Sequence, residues 1–430
     1  MEQHWKRLAQ GVELACVRTD QFKTGLFSVT LAVPLRRETA AAGALIPEVL
    51  YRGSRRWPDI ERISAAVDGL YGASLGPAVR QRGESQCVSF LCSFINDCYA
   101  LDGSAVLEPA VRLVGELLLD PVTEGGIFRR DYVESEGANL ADCIRARMND
   151  KWSWAIFRLL QEMCAGEAYS VDKLGTVEEA LSMTRSKLWT GYRNLLDQAR
   201  VIVYYGGSAD FGRVEDAVRR SFQPLLTDRD VSVGCQVVPE PKGPVRTVEE
   251  TMDVAQGKLA LGLRTGGIAA DSPDYPALLV CNALYGGSSN SKLFANVRER
   301  LSLCYDVSSV IDKLKGVMVV TAGVETASLD QAQEAVLEQL DAVRRGDFTE
   351  GELAAAVRTV ANGLRSRRDS QGCLEDDCVT ELLYGGGMND GTALIQAVER
   401  VAADDVVRAA QKLKLDTVYR LAGKEGAARG

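Results

Sequence analysis

The chain has 430 residues, a formal net charge of −9 and a pI near 5.1, with 46% hydrophobic and 25% charged residues. That is enough apolar material for a large core divided over two or three domains. The acidic balance argues against a nucleic-acid backbone or an anionic membrane surface as a partner, since both favour clustered Lys and Arg. The single histidine, His4, cannot supply a His-x-x-Glu-His zinc helix, and its place in an expected N-terminal tail argues against Ser-His-Asp triads and Cys-His dyads as well.

The first residues, Met1-Glu-Gln-His-Trp-Lys6, carry neither the basic segment nor the apolar run of a secretory signal and read as a tail. With no stretch approaching the roughly 18 apolar residues of a membrane span, a cytoplasmic protein is expected. Residues 12–18 and 25–34 are β-type runs, the second alternating Phe27, Val29, Leu31 and Val33. A helix follows at 40–51, stopped by Gly53, and Pro58 opens another through Ile63, Val67 and Leu70. Residues 74–81 and 87–94 read as a second strand pair. Helices dominate from 104 to 197, before a strand at 201–205 and a helix at 211–222.

The cluster Pro239-Glu-Pro-Lys-Gly-Pro244 is tolerated by neither helix nor sheet interior. It places a linker at 229–246 between domains at 1–228 and 247–430. The second domain repeats the order of the first, with a strand at 258–264, a helix at 273–284, strands at 305–311 and 317–324, helices, and a last strand at 417–421. Ala44-Leu-Ile-Pro-Glu-Val-Leu-Tyr-Arg-Gly-Ser54 also echoes Ala277-Leu-Leu-Val-Cys-Asn-Ala-Leu-Tyr-Gly-Gly-Ser288 with one residue gapped. The expected fold class is therefore α+β: two domains related by duplication, each a mostly antiparallel sheet with flanking helices.

Eleven cysteines, scattered and often inside apolar runs, read as buried free thiols, and no Cys-x-x-Cys pair offers a structural zinc site. Cys373 and Cys378 are close enough on a helix to be neighbours. Tyr285-Gly-Gly-Ser and Tyr384-Gly-Gly-Gly-Met lack the Gly-Lys-[Ser/Thr] ending of a phosphate loop and read as turns that require glycine. Glu375-Asp-Asp377 reads as a solvated acidic helix face.

Leu70-Tyr-Gly-Ala73, Asn149-Asp-Lys151, Gly175-Thr-Val-Glu-Glu179 and Leu293-Phe-Ala-Asn-Val-Arg-Glu-Arg-Leu-Ser-Leu-Cys-Tyr305, in this order and spacing, resemble the M16B metallopeptidases. These are the insulinase and mitochondrial processing peptidase-like proteins, of the LuxS/M16 metallopeptidase-like fold. The likeness is greatest to the peptidase-like subunits associated in Firmicutes with 5-aminopentanol modification of elongation factor P. Leu293 to Tyr305 resembles the family's Leu-Phe-x-x-Leu-Arg-Glu-x-x-Gly-Leu-x-Tyr signature, with Ser302 where glycine is usual. Active members carry His-x-x-Glu-His ahead of an aromatic and Gly-Thr or Gly-Ser. The two histidines, four apart, bind zinc from one helical face, and the glutamate deprotonates the bound water. Tyr51, Gly53 and Ser54 fit the downstream part, which puts Ala44, Pro47 and Glu48 at the motif positions. The third ligand, seven residues after an acid matched by Glu136, falls on Cys143, beside Asp142.

The resemblance implies a subunit with no metal or cofactor of its own, paired as a heterodimer with an active, zinc-bearing M16B homologue around a peptide-binding chamber. Arg298 and Tyr305 match family residues that reach the substrate, and would act in trans on the partner's site. The same two residues read alone suit a surface pair, Arg298 with Glu299, and a strand-edge tyrosine. A stand-alone binding or assembly protein on the same fold is the alternative, and thiol-based catalysis lacks a histidine to activate it.

Overall fold

The computed structural model describes residues 1–385, 387, 388 and 391–423, which form two compact units. Unit 1 holds residues 1–145, 171–234 and 367–390; unit 2 holds 146–170, 235–366 and 391 onward. Against the expected domains at 1–228 and 247–430, two stretches therefore change sides. Residues 146–170 belong with the later sheet, and 367–390 with the earlier one.

The sheet of unit 1 contains β1 (Glu2–Ala9), β2 (Val12–Arg18), β3 (Thr24–Pro34), β4 (Ser74–Arg82), β5 (Ser85–Ile95) and β8 (Arg200–Gly207), in the order β1-β2-β8-β3-β5-β4. A separate ribbon joins β6 (Thr123–Glu124) to β7 (Ile127–Phe128). Unit 2 contains β9 (Arg246–Met252), β10 (Gly257–Arg264), β11 (Cys304–Asp312), β12 (Val317–Val324) and β13 (Lys414–Gly423), in the order β11-β12-β10-β13-β9. In each sheet one pair is parallel, β2 with β8 and β9 with β13, and the rest is antiparallel. Laid over one another, β2, β8, β3, β5 and β4 match β9, β13, β10, β12 and β11 strand for strand. The duplication expected from element order is thus present in the topology. The echoing segments also fall in equivalent helices, Arg37–Tyr51 after β3 and Tyr275–Tyr285 after β10.

Burial patterns follow from this layering. Every residue of β12 is buried, and seven of the eight in β8 are, because helices cover both faces of these central strands. One face of each sheet packs on its own unit's helices, and the other is closed by a helix from the opposite half of the chain. Leu159 and Ala155 of helix Lys151–Met163 pack on Ala260, Val319, Tyr419 and Leu421 of unit 2. Gly262 permits this approach, since a Cβ there would fall 2.5 Å from Met163 Sδ. Reciprocally, Leu374, Cys378, Val379, Leu382 and Leu383 of helix Gln371–Tyr384 pack on Ala15, Val17, Leu26, Ala32, Ile202 and Tyr204 of unit 1.

Buried charge fastens both helices. In unit 2, Arg264 donates to Glu167 (2.9 Å), Asp416 (2.9 Å) and the Met163 carbonyl (2.8 Å), and Lys315 Nζ lies 2.6 Å from Glu167. In unit 1, Glu375 is fully buried, accepting from Arg80 (2.7 Å) and Ser28 (3.0 Å), while Arg82 donates to Asp376 (2.5 Å) and Thr380 (2.7 Å). The solvated acidic face expected at Glu375-Asp-Asp377 is thus corrected. The arginines that meet Glu375 lie about three hundred residues away in sequence, beyond the reach of local charge patterning, whereas the part-exposed Asp377 pairs with nearby Arg367 (2.7 Å). The expected N-terminal tail is corrected too. His4 lies in edge strand β1, paired in register with Cys16, and its ring sits 5.7 Å from that of Phe211.

The 229–246 segment is anchored at both ends. Arg229 donates to the Leu225 and Ala199 carbonyls (3.0 and 3.2 Å) within unit 1, and Lys315 reaches the Gln236 carbonyl (2.7 Å) within unit 2. Lys242 and Gly243 between them are exposed. A specific protease site inserted there and cut is expected to leave the two fragments co-eluting from a gel-filtration column until denaturant is added. Each fragment carries a helix that closes the other's sheet, and separate native elution would contradict that account.

Candidate functional site

Two places hold the residues singled out in the sequence, one in each unit. In unit 1 they lie on helix Arg37–Tyr51, whose alanine-rich start favours helix and whose later turns contain Pro47. Proline removes one backbone donor at the centre of this helix. Ala44 and Pro47 are buried and offer no donor atom to a cation. Glu48 is half-buried, and burial, reinforced by the charge of Glu136, pushes its carboxyl above the ordinary carboxylate range.

Glu136, on helix Arg130–Ala146, is the buried carboxylate of this place. Its two oxygens accept from Arg52 Nη1 (2.9 Å) and Asn139 Nδ2 (2.9 Å). The Arg52 guanidinium also lies over the Tyr132 ring, 4.9 Å from its centroid. Cys143, two turns after Glu136, is exposed, and Asp142 pairs with Arg145 at 2.9 Å. No group of three or more His, Cys, Asp or Glu placed to hold a metal occurs among the described residues. Zinc does not fit this donor set: two motif positions lack donors, and a fixed guanidinium already meets the buried carboxylate.

Arg52 was not singled out in the sequence. The signal available was its place one helical turn after Glu48, but the partner on a distant helix is not visible locally. Glu48 binds a proton more readily in the folded chain than in the unfolded one. Its contribution to stability is therefore fully present below the unfolded value and is lost as pH rises through the folded one. Glu48→Gln is expected to be more stable than the parent chain at pH 8, with the gap in melting temperature narrowing as pH falls toward 4.5. A gap that widens on acidification would contradict the burial argument.

In unit 2 the segment from Leu293 to Asp312 departs repeatedly from regular geometry. Leu293–Arg300 is a π-helix, closed by a Leu301 N–H to Asn296 carbonyl bond of 3.0 Å. Ser302 follows at φ +52°, in the left-handed region that favours glycine. In β11 the register shifts between Cys304 and Asp306, leaving Tyr305 as a bulge in an edge strand. Arg298 Nε donates to the Tyr305 carbonyl at 2.8 Å, its guanidinium lies over the Phe294 ring at 4.5 Å, and Nη1 is 3.3 Å from Glu299. Tyr305 is 69% exposed, and its hydroxyl has no hydrogen-bond partner among the described residues. Arg298 and Tyr305 are thus brought together, though through the tyrosine's backbone rather than its phenol.

The glycine turn after helix Tyr275–Tyr285 supports this segment. A Cβ on Gly286 would fall 2.6 Å from Leu293 and 2.7 Å from the Ser309 hydroxyl, so close approach rather than positive φ requires glycine. Of the second glycine run, Gly386 lies outside the described residues. Ser302→Gly is expected to raise stability by about 0.5–1 kcal/mol, since the serine holds a left-handed conformation that glycine adopts freely. Denaturant titration of the two chains measures it, and a loss of stability would mean that the serine hydroxyl compensates for the strain.

The family model described as "Peptidase M16 inactive domain" matches residues 182–360. The probable inactive metalloprotease YmfF of Bacillus subtilis is 32% identical over 421 residues, covering 97% of each chain. An uncharacterized zinc protease of Streptomyces coelicolor is 23% identical over 412 residues, 93% of this chain and 84% of that one. Among solved structures, a conserved protein from Enterococcus faecalis matches with a TM-score of 0.88 at 26% identity, covering 99% of both chains. A peptidase M16 inactive domain from Pseudomonas fluorescens matches with a TM-score of 0.82 at 17% identity, again over 99% of both.

Proposed function

The chain belongs to the peptidase M16 family, among its inactive metalloprotease homologues, and we propose that it serves as the non-catalytic subunit of a zinc-dependent peptidase whose metal sits in a partner. The observation that carries this reading is the contrast between its two places. Where the family's metal would sit, Ala44 and Pro47 offer nothing and Arg52 supplies a fixed positive charge to Glu136. The segment around Arg298 and Tyr305 keeps instead an ordered, costly backbone and a phenol open to solvent.

The partner would be an active M16B homologue carrying His-x-x-Glu-His, its zinc activating water. This chain would add the Tyr305 hydroxyl, a donor able to steady a peptide carbonyl as it gains negative charge. Nothing in such a role needs a metal or cofactor bound here. Catalysis by a thiol would lack a histidine to activate it, since His4, the single histidine of the sequence, lies against Glu2. Burial pushes Cys87 and Cys304 up to about 11, and Cys92, Cys164 and Cys281 up to about 12, so none of these five is an available thiolate at neutral pH. No helix among the described residues is long and apolar enough to cross a membrane.

The test is to purify the chain alone and together with a zinc-bearing M16 homologue of the same organism, then assay bound zinc and cleavage of a quenched fluorescent peptide. Zinc and turnover are expected only in a one-to-one complex. Stoichiometric zinc and turnover in the isolated chain would overturn the reading. Failure of every such homologue to bind would leave a stand-alone binding or assembly role on the M16 fold.

A further inference from the structure

We propose that Arg298 is a positioning residue and that Tyr305 alone makes the contact to a bound peptide; this division of labour rests on the reading that the segment faces a partner's substrate. A guanidinium recognises a carbonyl or carboxylate through a pair of parallel N–H groups. On Arg298 the Nε edge is taken by the Tyr305 carbonyl at 2.8 Å, and Nη1 of the opposite edge lies 3.3 Å from Glu299. Its plane is held on Phe294, 4.5 Å from the ring centroid. The Nε edge is therefore taken, and the partly exposed Nη1–Nη2 end is shared with the exposed carboxylate of Glu299.

The same bonds explain what Arg298 does. A bulge leaves a peptide unit without its ladder partner, and an exposed one wanders unless something else satisfies it. Here the unmatched residue is Tyr305, with Cys304 paired to Val324 and Asp306 paired to Gly323. Arg298 accepts the job the neighbouring strand leaves undone, by bonding the Tyr305 carbonyl. The π-helix carries Arg298, and left-handed Ser302 turns the chain back so that residues seven apart meet. With its backbone pinned, the phenol projects outward with its hydroxyl unengaged. The i, i+7 spacing of Arg and Tyr then records a backbone clamp rather than a two-pronged ligand grip.

The first experiment uses the isolated chain labelled with 3-fluorotyrosine, the Tyr305 signal being assigned by its loss in Tyr305→Phe. Arg298→Lys keeps the charge but loses the Nε donor. It is expected to shift and broaden the Tyr305 fluorine signal and to speed amide exchange in residues 304–308 at least about tenfold, leaving the other tyrosine signals in place. An unchanged signal with unchanged exchange overturns the positioning role. In the complex with the zinc-bearing homologue, Tyr305→Phe is expected to lower kcat on the order of 10²-fold with KM within about twofold. Arg298→Lys should lower kcat as well, and the double variant should fall no further than Tyr305→Phe. Additive losses, or a rise in KM alone for Arg298→Lys, would show that Arg298 touches the peptide and would overturn the proposal. If no complex forms with the unmodified chain, the subunit reading fails, and the fluorine and exchange measurements still decide the role of Arg298.

Discussion

Each sheet in this molecule is a surface that its own half of the chain covers on one face only. The second face is closed by a helix from the other half, Lys151–Met163 over one sheet and Gln371–Tyr384 over the other. A bare, strongly apolar sheet face is not tolerated in water, so this mutual cover is the constraint on which the rest depends. The buried ion pairs gain their importance from it. Glu167 with Arg264 and Lys315, and Glu375 with Arg80, are costly to desolvate and add little raw stability, but they discriminate strongly among registers. A helix shifted by one turn would bury those charges unmatched.

The duplication has left the two copies free to diverge in detail while the scaffold stays fixed. Five strands match in order and direction, and the first helix after the central hairpin strand occupies the same place in each. On that shared frame, one copy presents a helix whose chemistry has been emptied, and the other an edge strand whose backbone is bent out of regularity and clipped in place. The two copies thus differ in side chains and local backbone at non-equivalent places, the first helix of one and the edge strand of the other, rather than in architecture.

Most of the fold could be read from the sequence because it is written locally. Alternation in 25–34, the breakers at Gly53 and Pro58, and the proline cluster at 239–244 each act within a few residues, and the elements lie close to where these signals put them. What escaped was non-local. The polar edge strands β1 and β9 have little hydrophobic alternation, being mostly exposed, and only pairing makes them strands. The helix exchange depends on which surface a helix finds, and Glu375 looked solvated because its arginines lie far away in sequence. At the candidate sites, Ala44, Pro47 and Cys143 were legible as residue types by their spacing, as were Arg298 and Tyr305. The engagement of Arg52 with Glu136, and of Arg298 with a carbonyl rather than an open ligand face, are facts of three-dimensional distance.

The guanidinium of Arg52 also bears on how such a chain could change over time. A histidine introduced at position 44 or a glutamate at position 47 would enter a buried stretch of helix, while the buried carboxylate of Glu136 is already engaged by Arg52. Removing Arg52 first would leave the buried Glu136 carboxylate unmatched. Every single step back toward a metal site is thus unfavourable on its own, and only several together would be rewarded. The helix and its buried ion pair constrain one another, while the exposed phenol of Tyr305 on the other sheet can be exchanged without disturbing a core.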